Sequence, residues 1–266
     1  MEEKALRLSA VFLMILTAVS FVLLPKLPAL HTWEVEAREE RIAEEEFAQS
    51  QVTMQNLKIK EQNEAAGAKG ELSIRLPEGV TGDQIAVSND YVTQTIRVEI
   101  PQADRTYFDS YPVLGNSDYI DGLSYTRQGE MGVIEVTTNK VYELQTEYDA
   151  QNFYFNFLTP HEVYDKVVVI DAGHGGRAVG ANKQGINEKD IDLAIVLKLK
   201  EIFDNSDQNI GVYYTRTDDS NPTFDQRVQL ANKSDADLFI SIHNNSTRSG
   251  RMSGTSGTQA MYDETS

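Results

Sequence analysis

The stretch VVVIDAGHGG, residues 167–176, carries an apolar run straight into Asp171, His174 and three glycines. A second run, ADLFISIHNNS at residues 236–246, ends on His243. The chain has only 4 histidines, His31, His161, His174 and His243, and no cysteine. Thiolate metal sites and disulfides are therefore excluded, and any metal must be held by imidazole and carboxylate. If both apolar runs are strands of one parallel sheet, His174 and His243 fall on the same carboxyl edge, where ligand sites gather. Glu188, in the connection leaving that edge, can join them as a His₂Glu set. Such a set leaves a position open for water, as catalytic zinc sites do. Gly173, Gly175 and Gly176 let the backbone turn sharply enough to bring His174 over the sheet.

Two other readings compete on spacing alone. Gly173, Gly175 and Ala178 fit G-x-G-x-x-A after a strand, a dinucleotide fingerprint. That motif needs a helix opening at the glycines, whereas GANKQGIN follows here and no helix starts before Glu188. Histidines satisfied by ordinary hydrogen bonds in an α/β core compete evenly with a metal site.

The elements that must position these residues read as strand, helix, strand, helix, strand. Residues 167–170 form a strand buried on both faces, 190–204 a helix, 210–215 a strand, and 237–242 a third strand. Asn221 as N-cap with Pro222 at the first helical position opens a second helix to about Lys233. Right-handed crossovers then give a parallel sheet. Upstream, residues 70–160 hold short alternating runs, ELSIRL, QIAVS, TIRVEI, GVIEVTT and FYFNFL, with turns at Glu78-Gly79, Asn89-Asp90 and Gly115-Asn116. No helix-length periodic segment interrupts them, and the pattern predicts a small all-β, sandwich-like module.

Residues 31–69 are acidic and helix-prone, a solvated stalk. Residues 8–24 carry no charge and span about 25 Å as a helix at 1.5 Å per residue, the short end of the membrane-spanning range. Lys4 and Arg7 precede them, so the remainder is expected outside the cytoplasm, with residues 1–30 as a single-pass anchor. Cleavage near Ala18 and Ser20 would instead make a secreted protein. The net charge of −17 with no basic patch argues against nucleic acid as a partner.

The pieces VVVIDAGHGG, GINEKD, YYTRTDD, QRVQLAN and ADLFISIHNNS resemble, in order and spacing, the zinc-dependent N-acetylmuramoyl-L-alanine amidases with a type 3 catalytic domain. The β module loosely resembles the AMIN-type modules that precede such domains. The resemblance implies one Zn²⁺ on His174, Glu188 and His243, peptidoglycan as substrate, and hydrolysis of the amide joining muramic acid to L-alanine. Arg216 and Arg227 match family positions and are expected to hold loop and helix. Asp171 is expected either to accept a hydrogen bond behind His174 or to cap the turn, and Asn245 to lie at the site's edge. The family's catalytic glutamate lies on a late strand, which the resemblance puts beyond Ser266; Asp263 and Glu264 do not occupy its motif. No catalytic residue is therefore identified, and residues 161–266 are expected to be the first part of an incomplete parallel-sheet domain in which GTQAMY forms the next strand. A non-catalytic envelope protein that binds zinc or cell wall is the alternative.

Overall fold

The alternation of the β-rich region becomes two sheets closing on one core. The structure is a computed structural model that describes Arg41, residues 55–61 and residues 70–244. The apolar run 8–24, most of the acidic stretch 31–69, Asn245 and GTQAMY lie outside these residues. Among the described residues no helix is long and apolar enough to cross a membrane.

The chain runs through β1 (Gln55–Asn56), β2 (Lys60–Glu61), β3 (Leu72–Arg75), β4 (Ala86–Asp90) and β5 (Thr95–Pro101). Helix α1 (Arg105–Ser110) follows, then β6 (Leu114–Gly115), β7 (Ile120–Gln128), β8 (Met131–Thr138), β9 (Glu143–Tyr148) and β10 (Asn152–Leu158). One sheet has the order β1-β7-β8-β5-β4 and the other β2-β6-β3-β10-β9. Inward residues of both, among them Leu72, Ile74, Ile96, Val98, Ile134, Val136, Phe153 and Phe155, form a single core, as in a sandwich.

Two local expectations are corrected, and one short element is added. The short helix α1 interrupts the strands, capped by Asp104, which accepts from the Tyr107 amide at 2.9 Å. Asn89 and Asp90 end β4 rather than forming the turn. The Asp90 carboxylate accepts from the amides of Val92 and Thr93, so it starts the reversal from the strand's last position. Gly115 likewise belongs to β6, and Asn116 opens the turn by accepting from the Asp118 amide.

The α/β part starts with α2 (Pro160–Val163) and β11 (Lys166–Ala172), followed by the small hairpin β12 (Asn182–Lys183) and β13 (Ile186–Asn187). Then come α3 (Glu188–Asp204), β14 (Ile210–Tyr214), α4 (Phe224–Lys233) and β15 (Leu238–Ile242). The sheet order is β14-β11-β15, and both pairings are parallel. Helix α4 is not capped by Asn221. Its N-cap is Thr223, whose hydroxyl accepts from the Gln226 amide at 3.1 Å while Gln226 reaches back to the Thr223 amide at 2.8 Å. A reciprocal box satisfies two orphan amides and outcompetes the Asn-Pro signal.

β11 is buried on both faces. Val167 and Val169 pack with Leu230 of α4, Tyr213 and Val141, while Ile170 and Ala172 pack with Val196 of α3. The β module thus covers part of one face of the parallel sheet. The phenol of Tyr213 donates to Glu143 at 2.6 Å and that of Tyr91 donates to the same carboxylate at 2.9 Å. Burial and the neighbouring Glu143 carboxylate push both phenols well above their ordinary value.

Candidate metal centre

His174 follows the end of β11 and His243 follows the end of β15, on adjacent strands of the parallel sheet. Glu188 is the first residue of α3, where a carboxylate also meets the positive end of the helix dipole. His174 Nε2 lies 3.4 Å from Glu188 Oε2, and His243 Nδ1 lies 3.2 Å from Glu188 Oε1. The two imidazole rings meet edge to face with centroids 4.9 Å apart. Exposure rises across the set: the side chain of Glu188 is 9% exposed, His174 19% and His243 43%. The cluster has a closed floor and an open mouth.

Two glycines make this approach possible. A Cβ on Gly173 would stand 2.4 Å from the His243 ring. A Cβ on Gly180 would stand 2.6 Å from the His174 ring and 2.8 Å from Glu188, and the backbone there has φ +66°. His174 itself has φ 59°, a left-handed conformation that a non-glycine residue keeps only when its surroundings enforce it.

The enforcement comes from two buried arginines. Arg227 of α4 donates to the carbonyls of Ala172 at 2.7 Å and His174 at 2.8 Å. Arg216 donates to the carbonyls of Ala172 at 2.9 Å, Gly173 at 2.7 Å and Lys189 at 2.9 Å. It thereby ties the His174 loop to the helix turn that carries Glu188. Lys189 adds a second tie, donating to the Gly176 carbonyl at 2.8 Å and to Asp219 at 2.7 Å. Glu188 is fixed from the other side, its Oε2 accepting from the Ala181 amide at 2.8 Å.

Asp171 anchors Arg227. It accepts from Arg227, from Thr215 at 2.6 Å and from Ser241 at 2.6 Å. Burial raises its carboxyl, but the Arg227 guanidinium and the two hydroxyls outweigh burial and hold it below the ordinary carboxylate range. Its hydrogen bonds reach no histidine ring, so it acts on His174 one step removed, through Arg227. Burial and the like charge of Arg227 lower the Arg216 guanidinium, against the opposing pull of Asp192, Asp219 and Asp171.

The donor set fits a zinc ion. With zinc–ligand bonds of about 2.0–2.2 Å, neighbouring donors of a tetrahedral site stand roughly 3.3 Å apart, close to the two contacts made by Glu188. Sequence reasoning missed Asp192, whose donor atom lies with those of His174, Glu188 and His243 within 4.8 Å of one another. The signal was present as two carboxylates at i and i+4 on one helix face. His161 is elsewhere, its Nε2 at 2.8 Å from the Asp235 carbonyl, near the amino end of β15. Asn245 lies outside the described residues.

Comparison with known proteins bears on this same segment. Residues 168–266 match the N-acetylmuramoyl-L-alanine amidase family model. The chain is 45% identical over 86 residues to an endolysin of Bacillus phage SPP1, covering 32% of this chain and 31% of that protein. It is 41% identical over 78 residues to the N-acetylmuramoyl-L-alanine amidase CwlM of Bacillus licheniformis, covering 29% of this chain and 31% of the relative. The solved catalytic domain of CwlV, an N-acetylmuramoyl-L-alanine amidase from Bacillus (Paenibacillus) polymyxa var. colistinus, is 42% identical, with a TM-score of 0.30, over 31% of this chain and 46% of that one. The chain spans about a third of the length of these curated relatives.

Proposed function

We propose that this protein is a peptidoglycan hydrolase that cleaves the amide between the lactyl group of N-acetylmuramic acid and L-alanine. The observation that carries the reading is the convergence of His174, Glu188 and His243 at one edge of the sheet, with contacts of 3.2 and 3.4 Å. The family match of the same segment supports it. In this reading His174, Glu188 and His243 hold one Zn²⁺. Such an ion lowers the pKa of a bound water toward about 7 and polarises a carbonyl, which an unreactive amide requires.

The chain's own residues supply position. Arg216 and Arg227 fix the His174 loop, Lys189 fixes the turn at Glu188, and the exposed side of His243 gives access to a polymer too large to enter a closed pocket. The AMIN-like β module positions the hydrolase on the wall. Residues 8–24 anchor the chain in the cell membrane, with the bulk outside the cytoplasm, a reading supported by Lys4 and Arg7 on their amino side and the acidic run beyond.

The test is metal analysis of the 266-residue chain together with assay on purified peptidoglycan. One equivalent of zinc is expected; release of new L-alanine amino termini needs, besides the three ligands, a general base within reach of the metal-bound water, and is the readout that carries the hydrolase reading. His174→Ala and His243→Ala should lose the metal, and His161→Ala should keep it. Undiminished zinc in His174→Ala sinks the site assignment, whereas zinc without released L-alanine termini leaves a wall-binding protein in place of an enzyme.

A further inference from the structure

Helix α3 starts at the metal centre and brings a second carboxylate to it. Asp192 lies one helical turn after Glu188, so both face the same side. Its side chain is wholly buried, at 0% exposure. Its donor atom lies within 4.8 Å of those of His174, Glu188 and His243. The four residues therefore surround one small volume, with Asp192 wholly buried and His243 exposed.

A carboxylate at that depth is costly unless positive charge faces it. Arg216 is one such charge, and its guanidinium also serves the carbonyls of Ala172, Gly173, Asp218 and Lys189. It must also offset Asp171 and Asp219. Glu188 and Asp192 together carry two negative charges toward the space between the imidazoles, which matches the charge of one divalent cation. Two hard oxygen donors beside two imidazoles also suit manganese and cobalt as well as zinc.

We propose that Asp192 is a fourth protein group of the metal centre, facing the cation from helix α3 and making the set two histidines and two carboxylates. This rests on the metal reading of His174, Glu188 and His243. It assigns Asp192 a part in metal affinity and selectivity, with the solvent side of the cation left to water and substrate.

The test uses the metal-free 266-residue chain, titrated with Zn²⁺ against a chromophoric chelator and with Co²⁺ by visible absorption. Asp192→Asn should bind Zn²⁺ about 10–100-fold more weakly, the range found when groups supporting a metal site are removed, and its Co²⁺ bands should shift. Asp192→Ser is measured in parallel, so that a peculiarity of the amide does not decide the outcome. Binding within twofold of wild type overturns the proposal. So does weaker binding with an unchanged Co²⁺ spectrum, because Asp192 then acts only through the scaffold. Failure of both variants to fold even with zinc supplied overturns it for the same reason. His174→Ala distinguishes the two readings: if it retains full Zn²⁺ affinity, the metal centre itself is misassigned, whereas its loss beside unaffected Asp192 variants removes only Asp192.

Discussion

Asp171→Asn removes one charge from the buried pair that orients the His174 loop and leaves the side chain's shape. The pair is enclosed, with side-chain exposures of 6% for Arg227 and 5% for Asp171. Breaking a buried ion pair by removing one partner costs about 3–5 kcal/mol. Arg227 would keep the carbonyls of Ala172, His174 and Pro222 as acceptors, which places the loss at the low end, about 3 kcal/mol. At roughly 2–4 °C per kcal/mol for a unit of this size, the melting temperature should fall by roughly 6–12 °C at pH 7. The sign of the pH dependence follows from the lowered folded-state value of Asp171. Its contribution is fully present above the unfolded aspartate value, about 3.9, and is lost as pH falls through the lower folded value. The gap between wild type and variant should therefore narrow in acid. Thermal melts followed by far-UV circular dichroism at a series of pH values give both quantities. A drop under about 2 °C at pH 7 would show that the pair does not carry the loop, against the cost expected for an enclosed pair.

Other outcomes follow from the same geometry. Gly180→Ala should weaken zinc binding in a chelator competition more than Gly185→Ala, which shares a left-handed backbone (φ +81°) but whose Cβ meets nothing within 4 Å; equal affinities would remove the steric argument. Arg216→Lys keeps the charge but not the planar fork that spans Gly173 and Lys189, and zinc affinity should fall at least tenfold; wild-type affinity would mean that charge alone suffices. Tyr213→Phe deletes the 2.6 Å hydrogen bond to Glu143 and should cost about 1.5–3 kcal/mol, read from denaturant unfolding. No change in the midpoint would show that this bond contributes nothing to the seam.

What was legible in the sequence was whatever repeats along the chain. The run at 167–170 gave β11, and the two histidines after apolar runs gave the carboxyl edge, because a strand buried on both faces leaves a continuous apolar signature. β7 escaped notice since a register shift between Ile120 and Gly122 breaks its alternation. β9 escaped because it lies at a sheet edge with four exposed residues in a row. The set His174, Glu188 and His243 was legible from histidine scarcity and topology. Asp192 was passed over: its i, i+4 spacing from Glu188 was visible, but an aspartate inside a helix pattern reads as solvent-facing until its neighbours are known. The arginines were matched by resemblance, but their acceptors are backbone carbonyls, which have no side-chain signature at all.

The histidine spacing therefore depends on parts of the chain far from the candidate metal centre. Arg227 reaches the His174 carbonyl from α4, and α4 is seated by Leu230 among Val167, Val169 and Val141. Val141 belongs to the β module, and its amide donates to the Lys233 carbonyl at the end of the same helix at 3.0 Å. Tyr91 and Tyr213 join module to sheet again through Glu143. The described residues up to His243 belong to one compact unit for this reason. The β module is a wall of the α/β part as well as its neighbour: removing it would uncover Leu230 and Val167 and release the helix that carries Arg227. Metal affinity measured on residues 161–266 alone would then report a loosened loop, and the whole chain is the proper object for every metal titration above.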